Sequence, residues 1–395
     1  LSATRENLTG VRVLRAFCKE EEEERAFNEK NDDLTALQKL VGKVSGLMNP
    51  LTYVLINLGI VALIYVGALR VDAGILTQGQ VVALYNYMSQ ILVELVKMAS
   101  LIISITKAVA CAGRVSAVLD IAPDMRGASC APKTPQPGGA VRFEDVVLTY
   151  AKAGAPSLAG VDFTVAPGQT VGVIGGTGAG KTSLVNLIPR FYDATQGRVL
   201  VDSADVRDYP LEVLRQKVGV VPQKAVLFQG TIRENLRWGA PEATDEELYA
   251  ALDAAQAREI VAGKPEGLDF PVAQGKKGQL DAAVEPGGRN FSGGQRQRLT
   301  IARALVKRPE ILILDDSASA LDYATDLALR QALRRLPDKP TVFIVSQRTS
   351  SIRHADKIVV LDEGRVAGIG THEELLETCP VYQEIYYSQY EKEAK

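Results

Sequence analysis

A glycine-rich segment between an apolar run and a helical stretch has the residue types needed to bind phosphate. The apolar run Val171–Ile174 precedes Gly-Gly-Thr-Gly-Ala-Gly-Lys-Thr, which ends at Thr182. This is the strand, GxxxxGK[ST] and helix order of a phosphate-binding loop. Its glycines let backbone N–H groups surround a phosphate without Cβ obstruction, and the helix N-terminus adds a positive dipole end. Lys181 is expected to reach the β- and γ-phosphates of a nucleotide, while Thr182 binds Mg²⁺. The expected nucleotide contacts are Gly175, Gly176, Thr177, Gly178, Ala179, Gly180, Lys181, Thr182 and Ser183.

A second segment suited to an anion lies later in the sequence, at the start of another helical stretch. Ser292 and Gln295 have the S-x-x-Q spacing of a capping box, in a helix expected to begin near Gln295. Gly293 and Gly294 leave the N-terminal amides open to an anion. One chain cannot readily bring this helix onto its own phosphate loop if both face outward. We therefore expect residues 292–295 to contact the nucleotide of a neighbouring chain.

The elements that position these residues form a pattern of short β runs alternating with helical stretches from Val141 onward. Val171–Ile174 and Ile311–Leu314 are continuous apolar runs, typical of buried strands in a parallel sheet. Asp120–Ala140 contains four prolines and three glycines, and therefore predicts a linker. We expect an α/β domain over residues 141–395.

The first 119 residues have a different texture, which predicts a membrane hairpin. Val44–Leu69 contains no formal charge in 26 residues, and as a helix it would span about 39 Å against about 30 Å of hydrocarbon. A second apolar stretch runs from Val81 to about Val118. A helix over 81–119 would be about 58 Å long, so its end should project into the cytoplasm. The expected division is a continuous helical cytoplasmic extension over 1–43, spans at about 44–69 and 81–106, a short turn at 70–80, and a cytoplasmic extension to 119.

Charges support an orientation for this hairpin. Residues 1–43 hold eight basic side chains, whereas the loop between the spans holds only Arg70, so both ends of the hairpin are expected in the cytoplasm. Glu94 and Lys97 interrupt the second apolar stretch and share a helix face, where they can pair. Two roles are open for them: lining a transport pathway, or forming a structural pair near the cytoplasmic boundary.

Composition excludes several other classes of protein. The 395 residues contain 45 Lys and Arg against 47 Asp and Glu, which argues against nucleic acid as a partner. An apolar fraction of 46% excludes a disordered chain. Four cysteines without a CxxC pair, and only two histidines, argue against structural zinc and indicate reduced thiols. These residues are Cys18, Cys111, Cys130, Cys379, His354 and His372.

Two further motifs of the chain resemble those of a known family. Ser-Gly-Gly-Gln at 292–295, followed by Ile-Leu-Ile-Leu-Asp at 311–315, resembles the signature and Walker B motifs of an ATP-binding cassette. With its two apolar spans, the chain resembles over essentially its whole length a multidrug or lipid-type ABC exporter half-transporter. Leu8–Phe17 is similar to the segment that leads into the family's fifth membrane helix. The resemblance implies that the two spans are the fifth and sixth, that about four preceding spans are missing, and that the chain is a fragment. The implied fold is multidomain: two transmembrane helices followed by an α/β P-loop ABC ATPase domain.

The resemblance also implies roles for further residues. Tyr150 matches the aromatic residue that stacks on adenine, and Gln223 matches the Q-loop glutamine that senses Mg²⁺ and the attacking water. Asp315 would hold Mg²⁺ through water. Residues 319–322 match the D-loop, and 285–289 lie where the family has its X-loop.

Two positions depart from the family pattern, and both belong to the same composite site. Asp316 stands where the catalytic glutamate is expected, and Gln347 stands where the switch histidine is expected. Asp is shorter than Glu by about 1.5 Å of chain, and general-base catalysis typically contributes about 10²–10⁴-fold. Gln donates a neutral hydrogen bond but carries no proton or charge. The pattern predicts a degenerate ATP site on this chain, with Asp316, Gln347 and Gln223 as its catalytic group.

The resulting hypothesis is one half of a heterodimeric exporter that binds ATP and Mg²⁺. It would reside in the plasma (inner) membrane, with a cytoplasmic ATPase domain and a second half-transporter as partner. Two alternatives are a homodimeric exporter with slow hydrolysis at two equivalent sites and a membrane-bound regulatory pseudo-ATPase. A soluble ABC ATPase acting on DNA or ribosomes conflicts with the apolar segment 44–69. The sequence leaves a drug, lipid, peptide or siderophore open as substrate.

Overall fold

A computed structural model describes residues 2–122, 125, 127–128, 138–151, 153–262, 283–284, 290–317 and 319–390. The chain divides into two compact units, residues 1–123 and 124–395. Most of the segment expected to be a linker lies outside the described residues.

The first unit consists of three helices in its described part: α1 (Ser2–Ala16), α2 (Glu20–Asp72) and α3 (Gln78–Leu119). Helices α2 and α3 are both long and apolar enough to cross a membrane, and the predicted spans 44–69 and 81–106 lie within them. With 53 residues, α2 is about 80 Å long, well beyond the hydrocarbon thickness. The connection between the two helices is shorter than expected, because α2 continues to Asp72 and α3 begins at Gln78.

The expectation of one continuous helix over residues 1–43 is wrong. Helix α1 ends at Ala16 and α2 begins at Glu20. Between them Cys18 adopts a φ of 51°, a left-handed conformation that terminates helices. The acidic run that follows therefore occupies the first turn of α2, where it complements the positive end of the helix dipole.

Small residues let α2 and α3 approach closely. A Cβ at Gly67 would lie 2.8 Å from Cγ1 of Val81, and one at Gly59 would lie 3.0 Å from Cε of Met88. The predicted pairing on α3 is confirmed, since Lys97 Nζ lies 2.7 Å from Glu94 Oε1.

The second unit contains twelve strands and ten α-helices in its described part. The strands are β1 (Val141–Leu148), β2 (Leu158–Val165), β3 (Thr170–Gly175), β4 (Gln196–Val201), β5 (Ala204–Asp205), β6 (Val218–Val221), β7 (Gly230–Thr231), β8 (Ala283–Val284), β9 (Ile311–Asp315), β10 (Thr341–Val345), β11 (Lys357–Asp362) and β12 (Arg365–Gly370). The helices are α4 (Lys181–Asn186), α5 (Leu211–Lys217), α6 (Ile232–Arg237), α7 (Asp245–Ala254), α8 (Arg258–Ala262), α9 (Gly293–Val306), α10 (Tyr323–Arg334), α11 (Thr349–Ile352), α12 (His372–Thr378) and α13 (Pro380–Gln389).

The central sheet has six strands in the order β12-β11-β3-β10-β9-β6. All neighbours pair in parallel except β11 and β12. The two apolar runs predicted as buried parallel strands are confirmed as β3 and β9, both wholly buried apart from a partly buried Thr170. An antiparallel sheet in the order β2-β1-β4-β5 forms a second layer.

Each face of the central sheet packs on its own apolar core. From β9, Ile311 and Ile313 join the core shared with the antiparallel sheet and α4. Leu312 and Leu314 join the opposite core, formed with α7, α9 and α10. Alternate side chains of one strand thus bind the two layers together, as expected for a strand covered on both faces.

A buried ion pair network ties the layers together at the start of β9. Asp202 accepts hydrogen bonds from the backbone N–H groups of Gly139 and Ala140, at 2.8 and 3.2 Å, and from Lys217 Nζ at 3.0 Å. Lys217 also donates to Glu310 at 2.7 Å. Burial acts to lower the pKa of Lys217, but hydrogen bonds to Glu310 and Asp202 outweigh it, so the pKa is raised.

We expect Lys217→Met to lower the free energy of unfolding by about 3 kcal/mol, because it leaves the buried Asp202 carboxylate without its cation. Denaturant titration followed by the fluorescence of Trp238, the single tryptophan, measures this loss. Since the folded-state pKa of Lys217 is raised, its contribution is present below the ordinary lysine pKa of 10.5 and disappears as the pH rises above that value. Lys339→Met, at an exposed lysine, is the control. Equal stability of the two variants would contradict the proposed role of the network.

Candidate nucleotide-binding site

The carboxyl ends of four parallel strands meet at one edge of the central sheet. Asp315 at the end of β9 is in register with Val345 at the end of β10, and β3 ends at Gly175 on the other side of β10. The fourth strand, β6, ends at Val221 beside Leu314. Ligands of open α/β sheets bind in the crevice outside such carboxyl ends.

The phosphate-binding loop connects β3 to α4, as predicted. A Cβ at Gly175 would lie 2.1 Å from the carbonyl oxygen of Leu361, so no larger residue fits there. Gly180 has a φ of 92°, and a Cβ there would lie 2.7 Å from the carbonyl oxygen of Ser157. In contrast, Gly176 and Gly178 face open space and are exposed, which leaves the loop accessible to a ligand.

Lys181 is the first residue of α4 and is buried. Its ammonium group donates hydrogen bonds to the carbonyl oxygens of Gly175 and Gly176, at 2.9 and 2.6 Å. Burial lowers the pKa of Lys181, although the carboxylates of Asp316 and Asp315 favour its charged form. The loop therefore holds a cation directly beside its exposed glycines, as required for binding a polyphosphate.

Thr182 and Asp315 form the oxygen pair suited to a magnesium ion. Thr182 Oγ1 donates to Asp315 Oδ1 at 3.0 Å. Burial raises the pKa of Asp315 despite the hydrogen bond from Thr182, which opposes the shift. Among the described residues, no group of three or more His, Cys, Asp and Glu could hold a metal. One carboxylate and one hydroxyl fit the way Mg²⁺ is bound together with substrate phosphates.

Asp316 follows β9 with a φ of 45° and is anchored through its backbone. Its N–H donates to the carbonyl oxygen of Val345 at 2.9 Å, and its own carbonyl accepts a 2.8 Å hydrogen bond from Ser319 Oγ. Gln223 Nε2 donates to Asp316 Oδ2 at 3.2 Å. The structure thus brings Gln223 to the candidate base, with which the predicted catalytic group placed it, while its expected role beside Thr182 and Asp315 at Mg²⁺ stays a prediction.

Gln347 lies two residues beyond the end of β10 and is exposed. Its backbone carbonyl accepts a hydrogen bond of 2.6 Å from Gln389 Nε2, at the end of α13. Sequence reasoning missed Gln389, which belongs to no motif and lies 42 residues beyond Gln347. It also missed the contact of Ser319 with Asp316, although it placed Ser319 in the segment 319–322.

Tyr150 lies two residues after β1, against the start of α4. Its hydroxyl donates to Ser183 Oγ at 2.9 Å, and its ring meets the ring of Tyr192 edge-on with centroids 4.9 Å apart. The predicted aromatic residue is therefore next to the phosphate loop, just beyond the end of β1 at Leu148.

The capping box predicted at residues 292–295 is confirmed. Ser292 Oγ accepts from the N–H of Gln295 at 3.3 Å, and Ser292 N–H donates to Gln295 Oε1 at 3.0 Å. The helix α9 begins at Gly293, slightly earlier than expected, and both Ser292 and Gly293 are exposed. A Cβ at Gly294 would lie 3.0 Å from the carbonyl oxygen of Ala320, so this helix end adjoins the segment 319–322. Residues 285–289 lie outside the described residues.

The cysteines and histidines take no part in this site in the described part of the chain. Cys18 and Cys111 are exposed thiols and Cys379 is a buried one, while Cys130 lies outside the described residues. His372 Nδ1 lies 2.8 Å from the hydroxyl of Tyr382.

Two family models match the chain in agreement with this architecture. The model described as ABC transporter matches residues 158–319, and the model described as ABC transporter transmembrane region matches residues 1–95. The chain belongs to the ABC transporter family. These matches, together with the similarity to a solved Atm1-family exporter structure, confirm the predicted resemblance and the predicted fold class.

Relatives of this ABC transporter chain include named and uncharacterised proteins. An uncharacterised ABC transporter ATP-binding protein of Mycobacterium tuberculosis is 41% identical over 390 residues, covering 98% of this chain and 64% of the relative. The ATP-dependent lipid A-core flippase of Syntrophus aciditrophicus is 34% identical, covering 98% and 62%. The structure of a bacterial Atm1-family ABC exporter with ATP bound matches with a TM-score of 0.85 and 29% identity, covering 99% of this chain and 66% of that one. The chain thus spans less than two thirds of the length of these two sequence relatives.

We expect Lys181→Met to weaken ATP binding about tenfold or more, because a charge-assisted hydrogen bond contributes about 1.5–3 kcal/mol. Equilibrium binding of a fluorescent ATP analogue to the purified protein measures the change. Lys339→Met is the matched control, and equal affinity of the two variants would show that Lys181 does not contact the nucleotide.

Substitutions at Tyr150 separate base stacking from support of the loop. Tyr150→Ala is expected to weaken ATP binding roughly tenfold through lost stacking, whereas Tyr150→Phe keeps the ring and loses only the bond to Ser183. Competition with inorganic tripolyphosphate, which has no base, is expected to show no effect of Tyr150→Ala. The same loss for both ligands would instead indicate that Tyr150 supports the loop.

Proposed function

We propose that this chain is one subunit of a heterodimeric ABC exporter whose own ATP site is degenerate. Its phosphate loop binds MgATP but hydrolyses it slowly, and its exposed segment 292–295 completes the active site of a different partner subunit. The observation that carries the proposal is the pair Asp316 and Gln347, which both follow strands at the edge where the phosphate loop lies.

ATP binding is assigned to residues that the fold already brings together. Tyr150 stacks on the base, the glycine loop surrounds the phosphates, and Lys181 exchanges its two loop carbonyls for phosphate oxygens. Thr182 and Asp315 supply the oxygen ligands for Mg²⁺, which neutralises charge on the transferring phosphoryl group when it is bound.

Slow hydrolysis follows from the geometry around Asp316. A general base must approach the attacking water within about 2.6–3.2 Å, and the aspartate side chain is about 1.5 Å shorter than glutamate. One of its carboxylate oxygens also accepts a hydrogen bond from Gln223. Gln347 can donate a neutral hydrogen bond to a phosphate, but it supplies no positive charge to the transition state.

The segment 292–295 retains the Ser-Gly-Gly-Gln sequence of the family's signature motif. We therefore assign it to the partner's active site. Its hydroxyl is exposed at the capped end of a 14-residue helix, so its amides and Ser292 remain available to a second chain. Family membership supports a dimer of such chains in a membrane. The positive-inside pattern supports a cytoplasmic ATPase domain, and the plasma (inner) membrane is the location we propose for the complex.

The sequence leaves the transported substrate open, and the names of two relatives suggest which substrate class to test first. One is named as a lipid A-core flippase, and another, from Mycobacterium tuberculosis and 36% identical, as a fatty acid ABC transporter. An amphipathic lipid is therefore the first substrate class to test in reconstituted vesicles.

The test restores the family's glutamate and histidine at positions 316 and 347 of this chain in the purified complex. With the partner's catalytic carboxylate replaced by an amide, we expect Asp316→Glu combined with Gln347→His to raise ATP turnover at least about tenfold, within the range of general-base effects. Asp338→Glu, the same change at an exposed aspartate, is the control.

Native mass measurement of the complex decides between the dimer types. Two polypeptide species support the heterodimer, and one species indicates a homodimer with two slow sites. Unchanged turnover in the restored variant, together with full wild-type hydrolysis after loss of the partner's carboxylate, would contradict the asymmetric assignment. Vanadate-sensitive turnover of the wild-type complex would count against a regulatory pseudo-ATPase, and its absence would favour one.

A further inference from the structure

The C-terminal helix makes direct contact with the loop that follows β10. The side chain of Gln389, the last residue of α13, forms three hydrogen bonds to this loop. Its Oε1 accepts from the backbone N–H of Thr349 at 2.9 Å and from Thr349 Oγ1 at 3.0 Å. Its Nε2 donates to the carbonyl oxygen of Gln347 at 2.6 Å. Both functional atoms of the amide are therefore used on one short segment, 40 to 42 residues earlier in the chain.

Other hydrogen bonds hold the chain on either side of Gln347. Ser346 N–H donates to the carbonyl oxygen of Val173 at 3.1 Å, which attaches the loop to β3. Arg348 N–H donates to Ser346 Oγ at 2.9 Å, a bond within the loop itself. On the far side α11 begins at Thr349, and Arg330 Nη1 donates to the carbonyl oxygen of Ser350 at 2.9 Å. Gln389 bonds to the Gln347 peptide itself, so it fixes the peptide plane from which the Gln347 side chain departs.

Helix α13 is itself held firmly enough to act as this attachment. Tyr382 is buried and its hydroxyl lies 2.8 Å from His372 Nδ1, while Gln383 Nε2 donates to the carbonyl oxygen of Leu376 at 2.7 Å. From Tyr382 the helix runs for about 10 Å to Gln389. The helix is thus held near Tyr382 at one end and bonded to the loop through Gln389 at the other.

The residue type at position 389 matches the contacts it makes. An amide side chain combines an acceptor for Thr349 with a donor for the Gln347 carbonyl, and it carries them on two separate atoms of one group. A carboxylate at this position would keep the acceptor and lose the donor. Because Gln389 is exposed, its contacts contribute little apolar burial, which makes a purely core-packing role a poor explanation.

We infer that Gln389 is a positioning residue of the nucleotide site, which orients Gln347 toward the γ-phosphate of ATP. The inference rests on the proposed function, because it assigns Gln347 to that phosphate. It adds the C-terminal helix to the elements that determine how this chain recognises ATP. The expected signature is selective: contact with the γ-phosphate affects ATP and leaves ADP unaffected.

The test measures ATP and ADP binding to this chain in the purified transporter, by competition against a photoreactive ATP analogue. Gln389→Met keeps the side-chain length and removes all three hydrogen bonds, while Gln389→Glu removes the donor alone. Both are expected to weaken ATP binding about threefold to tenfold, the range for one or two hydrogen bonds, with ADP binding unchanged. Glu384→Met, at an exposed position of the same helix, is the control and is expected to retain wild-type affinity for both nucleotides.

A double-mutant cycle with Gln347→Ala tests whether Gln389 acts through Gln347. In the Gln347→Ala background, Gln389→Met is expected to have no further effect on ATP affinity. Full additivity, equal losses for ATP and ADP, or a Gln389→Met variant that matches Glu384→Met would each overturn the inference alone. Wild-type labelling that does not depend on Lys181 would instead overturn the proposed ATP site, and this role of Gln389 with it.

Discussion

The parallel register of β3, β10 and β9 is the constraint on which the candidate site depends. Val345 pairs with Val173 on one side and with Asp315 on the other, so the three strands end side by side. The phosphate loop, the Asp315–Asp316 pair and the loop with Gln347 then begin from a common edge. A shift of one residue in either pairing would move a catalytic side chain to the other face of the sheet. The two apolar cores hold this register because each strand contributes alternate side chains to both.

Electrostatics at this edge is a balance among three groups in close range. Lys181 is buried beside two adjacent carboxylates, and burial lowers its pKa while raising that of Asp315. Each group is kept in place by a hydrogen bond to a neutral partner, such as a loop carbonyl or the Thr182 hydroxyl. The site therefore combines one cation with two carboxylates, which is an arrangement suited to a metal ion and a polyanion arriving together.

Local patterns in the sequence were sufficient for the parts of the site that depend on short-range geometry. The glycine spacing predicts the phosphate loop, the S-x-x-Q spacing predicts the capped end of α9, and continuous apolar runs predict β3 and β9. The break at Cys18 could not be predicted, because helix-forming residues flank a single left-handed residue. The contacts of Gln223 with Asp316 and of Gln389 with Gln347 join segments 93 and 42 residues apart, and no local pattern records such a pairing.

The hydrogen bonds of Lys181 to its own loop have a consequence for how affinity can evolve. The ammonium group is already bonded to two backbone carbonyls, so under the proposed function nucleotide affinity is the difference between two sets of bonds to the same cation. The orientation of those carbonyls depends on the close contact of Gly175 with the backbone at Leu361. Substitutions that shift β11 can therefore strengthen or weaken nucleotide binding, because they change the bonds that the loop carbonyls make to Lys181 in the absence of nucleotide. Affinity in such a chain is adjustable from positions that never meet the ligand.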